Sequence, residues 1–181
     1  PPSIRVDNLS FKYPSNTTPT LSDVSFTIPA KGSLGIFGST GSGKTTLANI
    51  LSLGEPIPNG HLFFDDVDVT TVNVSAYRDK ISCVQQRRFL FSDSIKQNVA
   101  FSEPDAIQQP RLDRSVDRAC VSADIAAFPD TWATMVGEKG VVLSGGQQHR
   151  LALARGYAAE HYVLILDDVL SSVDHDTEHQ M

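Results

Sequence analysis

The sequence predicts an α/β fold with three parts: a core carrying a glycine-rich loop between a strand and a helix, an antiparallel β layer ahead of it, and a helical segment inserted into it. Three observations predict this. Ser33-Leu34-Gly35-Ile36-Phe37 reads as a short buried strand that runs into Gly38-Ser39-Thr40-Gly41-Ser42-Gly43-Lys44-Thr45-Thr46 and then into the helix-compatible Leu47 to Leu53. Ile4 to Phe11 and Val24 to Ile28 alternate in part, with the turn-rich Pro14 to Pro19 between them. From Arg87 to about Ala159 no convincing buried strand is found, and Tyr162 to Leu166 then reads as a central strand ending in Asp167-Asp168.

The remaining elements follow in order. After Pro56 and Pro58 come a strand at His61 to Phe64, a short helix near Ser75 to Asp79 and a strand at Ile81 to Val84. Ile95 to Ala100 and Arg111 to Ala119 read as helices, with Pro104, Pro110 and Pro129 as breaks. Ser144 opens a helix whose apolar positions Leu151, Ala154 and Ala158 share a face. No internal repeat is present.

Composition bounds the function. The 181 residues carry 15 Lys and Arg against 21 Asp and Glu, a net charge of −6, with 40% hydrophobic and 20% charged residues. That is one domain's worth of ordinary globular chain, which excludes disordered, collagen-like, coiled-coil and low-complexity classes. The acidic balance argues against a long phosphate backbone as partner but leaves the phosphates of a small nucleotide open. The longest apolar runs fall far short of the roughly 20 residues that cross a bilayer, and Pro1-Pro2-Ser3 has no signal-peptide pattern. A membrane role therefore has to come through a partner or through further chain. Cys83 and Cys120 lack metal-ligand spacing; a reducing, cytoplasmic setting is expected, a structural disulfide being the alternative.

Two motifs carry chemistry. Gly38 to Thr45 fits G-x-x-x-x-G-K-[ST] without a mismatch, in the strand-to-helix context that phosphate binding needs. Its glycines let backbone N–H groups turn inward around phosphates, Lys44 places a point charge at the β and γ phosphates, and Thr45 offers a hydroxyl to Mg²⁺. The alternative is a Gly/Ser-rich turn capping a helix. Val163 to Leu166 followed by Asp167 brings a carboxylate to a strand's C-terminal end, where a nucleotide's metal sits; a capping or turn Asp is the alternative.

Leu143-Ser144-Gly145-Gly146-Gln147 lies just before a helix and ahead of Asp167. Locally it is an N-cap Ser with a Gly pair; together with Gly38 to Thr45 and Asp167 it resembles the ATP-binding cassette (ABC) ATPases, whose signature motif is LSGGQ at this place. The resemblance covers nearly the whole chain. It implies a P-loop NTPase core with an antiparallel β subdomain and an inserted α-helical subdomain: one partial ABC domain over 1–181, with 1–86 and 160–181 as core and β subdomain and 87–159 as the helical subdomain bearing the signature. The implied cofactors are ATP and Mg²⁺. The resemblance implies nucleotide contacts from Tyr13 (stacking on adenine, or else a half-buried strand Tyr), from Gly38, Ser39, Thr40, Gly41, Ser42, Gly43, Lys44, Thr45 and Thr46, and from Ser144, Gly145, Gly146 and Gln147. It implies Thr45, Gln86 and Asp167 at the metal, and Lys44, Gln86 and Asp168 in hydrolysis. Gln86 matches the Q-loop glutamine, with Gln85 as its neighbouring competitor, and Ser171-Ser172-Val173-Asp174 matches the D-loop. Thr134 to Gly140 and Phe89 to Ile95 look like the exporter-type segments.

The sequence departs from this family in three places. The family's general base is a Glu directly after the strand-end Asp, and here it is Asp168. One methylene shorter, Asp168 falls short of a water lined up on the γ-phosphate, and a misplacement of about 1 Å costs on the order of 10²-fold in rate. Asp there resembles the degenerate half of heterodimeric exporters; a slow homodimer is the alternative. Secondly, the family's switch histidine lies beyond the D-loop, and His175 and His179 come too early for it, so the resemblance implies that the sequence covers the domain in part and that Pro1 was preceded by more chain. Thirdly, Asp65-Asp66 stands where a hairpin usually has Asp-Gly, so the turn either avoids φ > 0 or tolerates it through Asp.

The resemblance thus implies the ATP-binding, ATP-hydrolysing domain of an ABC exporter on the cytoplasmic face of a membrane. Its partners would be a second, non-identical ABC domain and an exporter's transmembrane domain, with no nucleic acid. A weak regulatory nucleotide-binding module and a soluble, non-transport ABC ATPase are the alternatives. The transported substrate is not legible.

Overall fold

The computed structural model describes residues 1–86, 89–102, 106–137 and 140–168. The segment Ser171 to Asp174, His175, His179, Glu138 and Lys139 lie outside the described residues. The described residues form two compact units, one of residues 1–81 with 161–165 and one drawn from residues 82–160 with 166–168.

The first unit is built on a four-stranded antiparallel sheet of β1 (Ile4–Phe11), β2 (Leu21–Ile28), β3 (Leu62–Phe64) and β4 (Val67–Asp68), in the order β2-β1-β3-β4. The partial alternation of β1 has a geometric cause. Ile4 and Val6 face the core, the pairing with β2 then shifts between Val6 and Leu9, and Asn8 takes φ 45, so the inward phase moves to Leu9. β2 begins at Leu21 rather than Val24, because Leu21 pairs with Phe11 and is buried. The two-residue β4 was not expected; it is too short for periodicity to report. The Asp65-Asp66 turn tolerates rather than avoids positive φ: Asp65 sits at φ 51, and its Oδ1 accepts from the Ser3 N–H at 2.8 Å and the Ser3 hydroxyl at 3.0 Å.

Helix α1 (Lys44–Leu51) starts three residues before the expected Leu47, directly after Gly43. Its Leu47, Ile50 and Leu51 meet Leu9, Leu62, Val69 and Tyr77 in the core of this unit. Helix α2 (Val74–Arg78) is held by Asn73, whose side chain accepts from the Ala76 N–H, and it delivers Tyr77 inward. Burial raises the Tyr77 pKa, and the phenol donates to the Leu51 carbonyl at 2.6 Å.

One expectation fails here. Ser33 to Phe37 is not a strand and is exposed: Leu34 and Ile36 at 44%, Phe37 at 94%. An apolar run becomes a strand only when neighbours complete its backbone ladder and cover its side chains, and none of the described strands lies beside this run.

The second unit is helical: α3 (Ile95–Val99), α4 (Gln109–Arg118), α5 (Ser122–Ala127) and α6 (Gly145–Ala158). α6 packs on α3 and α4, and its stripe of Leu151, Ala154 and Ala158 is buried as the spacing predicts, as are Ile95 and Val99 of α3 and Leu112 and Val116 of α4. α5 was not expected. It is six residues long, has no side-chain cap bond and buries only Ile125, so it carries little periodic signal. β5 (Ile81–Val84) and β6 (Val163–Leu166) form a two-stranded sheet. β6 is half-buried rather than central, and Leu166 is exposed, because β5 is its one neighbour among the described strands.

Replacing Tyr77 by Phe keeps the packing but leaves the buried Leu51 carbonyl without the phenol. Urea unfolding is expected to show a loss of about 1–2 kcal/mol; an unchanged midpoint would mean that this bond contributes nothing net.

Candidate functional site

In the first unit the glycine loop is shaped by backbone that side chains disfavour. Gly41 and Gly43 take φ 82 and 95. At Gly43 space is closed as well, since a Cβ would lie 2.7 Å from Leu21 Cδ2 and 2.9 Å from the Thr20 carbonyl oxygen. Gly43 is also the N-cap of α1, so no side chain caps the helix, and no acidic residue stands in its first turn. The positive end of the helix dipole therefore opens on the loop without a built-in anion, the arrangement that receives phosphate. The Lys44 ammonium folds back to donate to the carbonyls of Gly38 at 2.8 Å and Ser39 at 2.9 Å. Ser39, Thr40, Ser42 and Thr45 are exposed, Gly43 and Lys44 are half-buried, and Thr46 is buried. Tyr13 is half-buried beyond β1, edge-on to Phe11 with ring centroids 4.9 Å apart, and its hydroxyl lies 3.4 Å from Thr46 Oγ1.

In the second unit Asp167 is buried and its N–H donates to the Val84 carbonyl at 2.9 Å. Asp168 is exposed at φ 55, and its Oδ2 accepts from Gln86 Nε2 at 2.6 Å. Burial first, and the Asp167 carboxylate second, push the Cys83 thiol up to about 11. A thiol so placed stays protonated at neutral pH, and neither Cys83 nor Cys120 is in a disulfide.

The signature segment sits at the N-terminus of α6 as a full capping box. The Ser144 hydroxyl accepts from the Gln147 N–H at 3.2 Å, and Gln147 Oε1 accepts from the Ser144 N–H at 2.9 Å. Ser144 and Gly145 are exposed, and Gly146 is half-buried. The other end of the Gln147 amide donates to Asp124 Oδ1 at 2.9 Å, and Arg150 Nη2 donates to Asp124 Oδ2 at 2.8 Å. Burial alone would raise the Asp124 pKa; the bonds from Gln147 and Arg150 and the charge of Arg150 outweigh it and hold the carboxyl below its ordinary value.

Three residues of this region escaped the sequence reading. Asp124 carries no local signal, because its partners lie more than twenty positions away on another helix. Asn98 is fully buried, and its side chain holds the turn after Phe91 by accepting from the Phe91 N–H at 2.8 Å and donating to the Phe91 carbonyl at 3.0 Å. Arg155 donates to the Asn98 carbonyl, to Asn98 Oδ1 and to the Phe89 carbonyl at 2.7, 2.9 and 3.0 Å. An Arg between Leu151 and Ala158 on an apolar helix stripe was a readable sign of a buried cation.

A lysine-bridged glycine loop at an uncapped helix start and a boxed Ser-Gly-Gly-Gln at a second helix define an ATP-binding module of the phosphate-loop class. The family model described as ABC transporter matches residues 21–171. The chain is 39% identical over 175 residues to an ATP-dependent lipid A-core flippase of Photobacterium profundum, covering 97% of this chain and 30% of that protein. It is 40% identical over 171 residues to the multidrug resistance-like ATP-binding protein MdlA of Escherichia coli (strain K12), covering 94% and 29%. A solved bacterial Atm1-family ABC exporter with ATP bound superposes with a TM-score of 0.90 at 31% identity, covering 99% of this chain and 31% of that one. The chain belongs to the ABC transporter family, and it spans about 30% of the length of the relatives it matches. Among the described residues no helix is long and apolar enough to cross a membrane, and no group of three or more His, Cys, Asp or Glu could hold a metal.

Replacing Gly43 by Ala forces both a positive-φ side chain and the contact with Leu21 and Thr20. Melting is expected to fall by several degrees and nucleotide binding by more than about tenfold; wild-type binding would show that the loop re-forms without glycine. The depressed Asp124 pKa means that the unfolded chain binds more protons than the folded one as the carboxyl titrates. The stability it adds is complete above roughly pH 4 and disappears as pH falls through the lower folded value. An Asp124→Asn variant should lose stability at neutral pH and show a shallower acid limb; an unchanged limb would mean that Asp124 is not linked to folding.

Proposed function

We propose that the chain is the ATP-binding and ATP-hydrolysing domain of an exporter, and that its own nucleotide site turns over weakly. The observation that carries this is the glycine loop, with left-handed Gly41 and Gly43, an α1 dipole without an anion and Lys44 held across the Gly38 and Ser39 carbonyls. The names of the relatives, a flippase, a multidrug resistance-like protein and an exporter, support the transport reading.

In this reading residues 1–86 and 160–181 form the core and β subdomain, and 87–159 the helical subdomain. Tyr13 stacks on adenine, the backbone of Gly38 to Thr46 takes the phosphates, and the Lys44 ammonium exchanges its two carbonyl bonds for β and γ oxygens. The hydroxyl of Thr45, the amide oxygen of Gln86 and the carboxylate of Asp167 are all hard oxygen donors, the set that suits Mg²⁺. When bound, Mg²⁺ neutralises phosphate charge. The bond between Gln86 and Asp168 favours Gln86 over Gln85 as the Q-loop glutamine. Asp168, short by a methylene and held by Gln86, is a poor base for the attacking water.

Two domains then sandwich ATP, each offering its signature to the other's nucleotide. Ser144 to Gln147 here serve a second, non-identical ABC domain whose strand-end Asp is followed by Glu. Phe89 to Ile95 and Thr134 to Gly140 face an exporter's transmembrane domain on the cytoplasmic side. The Gln86 contact also favours a second reading, a regulatory nucleotide-binding module in which ATP acts as glue and Asp168 as a latch.

Scattering on the full-length protein is expected to show association with ATP and Mg²⁺ but not with ADP, and its absence would refute the sandwich. Asp168→Glu restores the missing methylene and should raise turnover by about tenfold or more. A flat response would favour the regulatory reading.

A further inference from the structure

We infer that Asp124 is a positioning residue for the signature segment: its carboxylate dictates which way the Gln147 amide faces, and thereby holds the α6 N-terminus in the form offered to the partner domain's nucleotide. This rests on the sandwich reading above.

The Gln147 amide is used at both ends. Its oxygen accepts from the Ser144 N–H at 2.9 Å and its NH₂ donates to Asp124 Oδ1 at 2.9 Å. An ionised carboxylate can only accept, so the reversed amide would set oxygen against Asp124 and NH₂ against the Ser144 N–H, losing both bonds. The neighbour on the helix secures the carboxylate from the other side, through Arg150 Nη2 on Oδ2 at 2.8 Å. The side chains of Arg150 and Asp124 are 18% and 24% exposed, Arg150 Nε is buried without a hydrogen-bond partner among the described residues, and the Asp124 carboxylate meets this cation directly. The clamp lies behind the presented surface, where Ser144 and Gly145 are exposed. Because the Ser144 hydroxyl accepts from the Gln147 N–H, its own proton is left to donate. Asp124 touches nothing that reacts; it acts through Gln147.

The polarity of the pair can be swapped. In Gln147→Glu the oxygen toward Ser144 is kept, but a second carboxylate faces Asp124. Adding Asp124→Asn supplies an NH₂ donor there and restores the net charge beside Arg150. In the full-length protein with its partner domain, Gln147→Glu is expected to lower kcat for ATP hydrolysis about tenfold or more. The double variant should recover to within about threefold of wild type, while labelling of this chain's own glycine loop by an azido-ATP probe stays constant throughout. A double variant no better than Gln147→Glu, in a wild type that does associate with ATP, overturns the proposal alone; a wild type that does not associate overturns the sandwich reading and the proposal with it. Should Gln147→Glu fail to fold, Asp124→Asn alone decides by hydrogen exchange. Its Ser144 to Gln147 amides should exchange at least about tenfold faster, and unchanged protection overturns the proposal.

Discussion

At Gly43 the backbone turns left-handed, φ 95, with its α-carbon pressed toward Leu21 and the Thr20 carbonyl. This close approach ties the loop to the sheet: Leu21 pairs with Phe11 at the start of β2 and is buried in the core that Leu47, Ile50 and Leu51 of α1 complete. The same residue is the cap from which α1 begins, so the direction of the helix, the absence of a capping side chain and the opening of its positive end onto the loop all follow from one glycine. Lys44, the first helical residue, is thereby placed to reach back over Gly38 and Ser39. A phosphate would replace two weakly basic carbonyls with charged oxygens, and the loop would not need to be rebuilt to receive it.

The second unit relies on buried polar groups instead. Arg155 on α6 and Asn98 on α3 share their hydrogen bonds around the chain between Phe89 and Ser94. Phe91 and Phe101 stack at 4.6 Å beside the Arg155 guanidinium. One end of α6 is thus fixed to the segment that follows Gln86. The other end carries the capping box, secured through Asp124. Both arrangements pair the buried charge with acceptors, which is the condition for a half-buried cation to hold a structure rather than weaken it.

The weak turnover proposed for this site draws on two features of Asp168. Its backbone lies at φ 55, outside ordinary strand or helix, and its carboxylate accepts the Gln86 amide at 2.6 Å. A general base needs its carboxylate aimed at water. Here the available length is used on a neighbouring side chain, and the immediately preceding Asp167 is buried against the end of β5.

Local order was legible wherever the signal is local. The G-x-x-x-x-G-K-T run, Ser144 as N-cap with Gln147 at the third helical position, the α6 stripe and the strand at Ile81 to Val84 all follow from spacing and short-range chemistry that the chain carries in itself. The shift of phase in β1, by contrast, needed the pairing with β2, and Ser33 to Phe37 shows the limit most directly. Its apolar residues suit a buried strand, but burial and ladder bonds come from neighbours, and without them the run is exposed. Asp124, Asn98 and the partners of Arg155, whose place on the α6 stripe alone was readable, were decided by tertiary structure for the same reason. A carboxylate, an amide and a guanidinium acquire their roles from partners distant along the chain, which composition and periodicity do not encode.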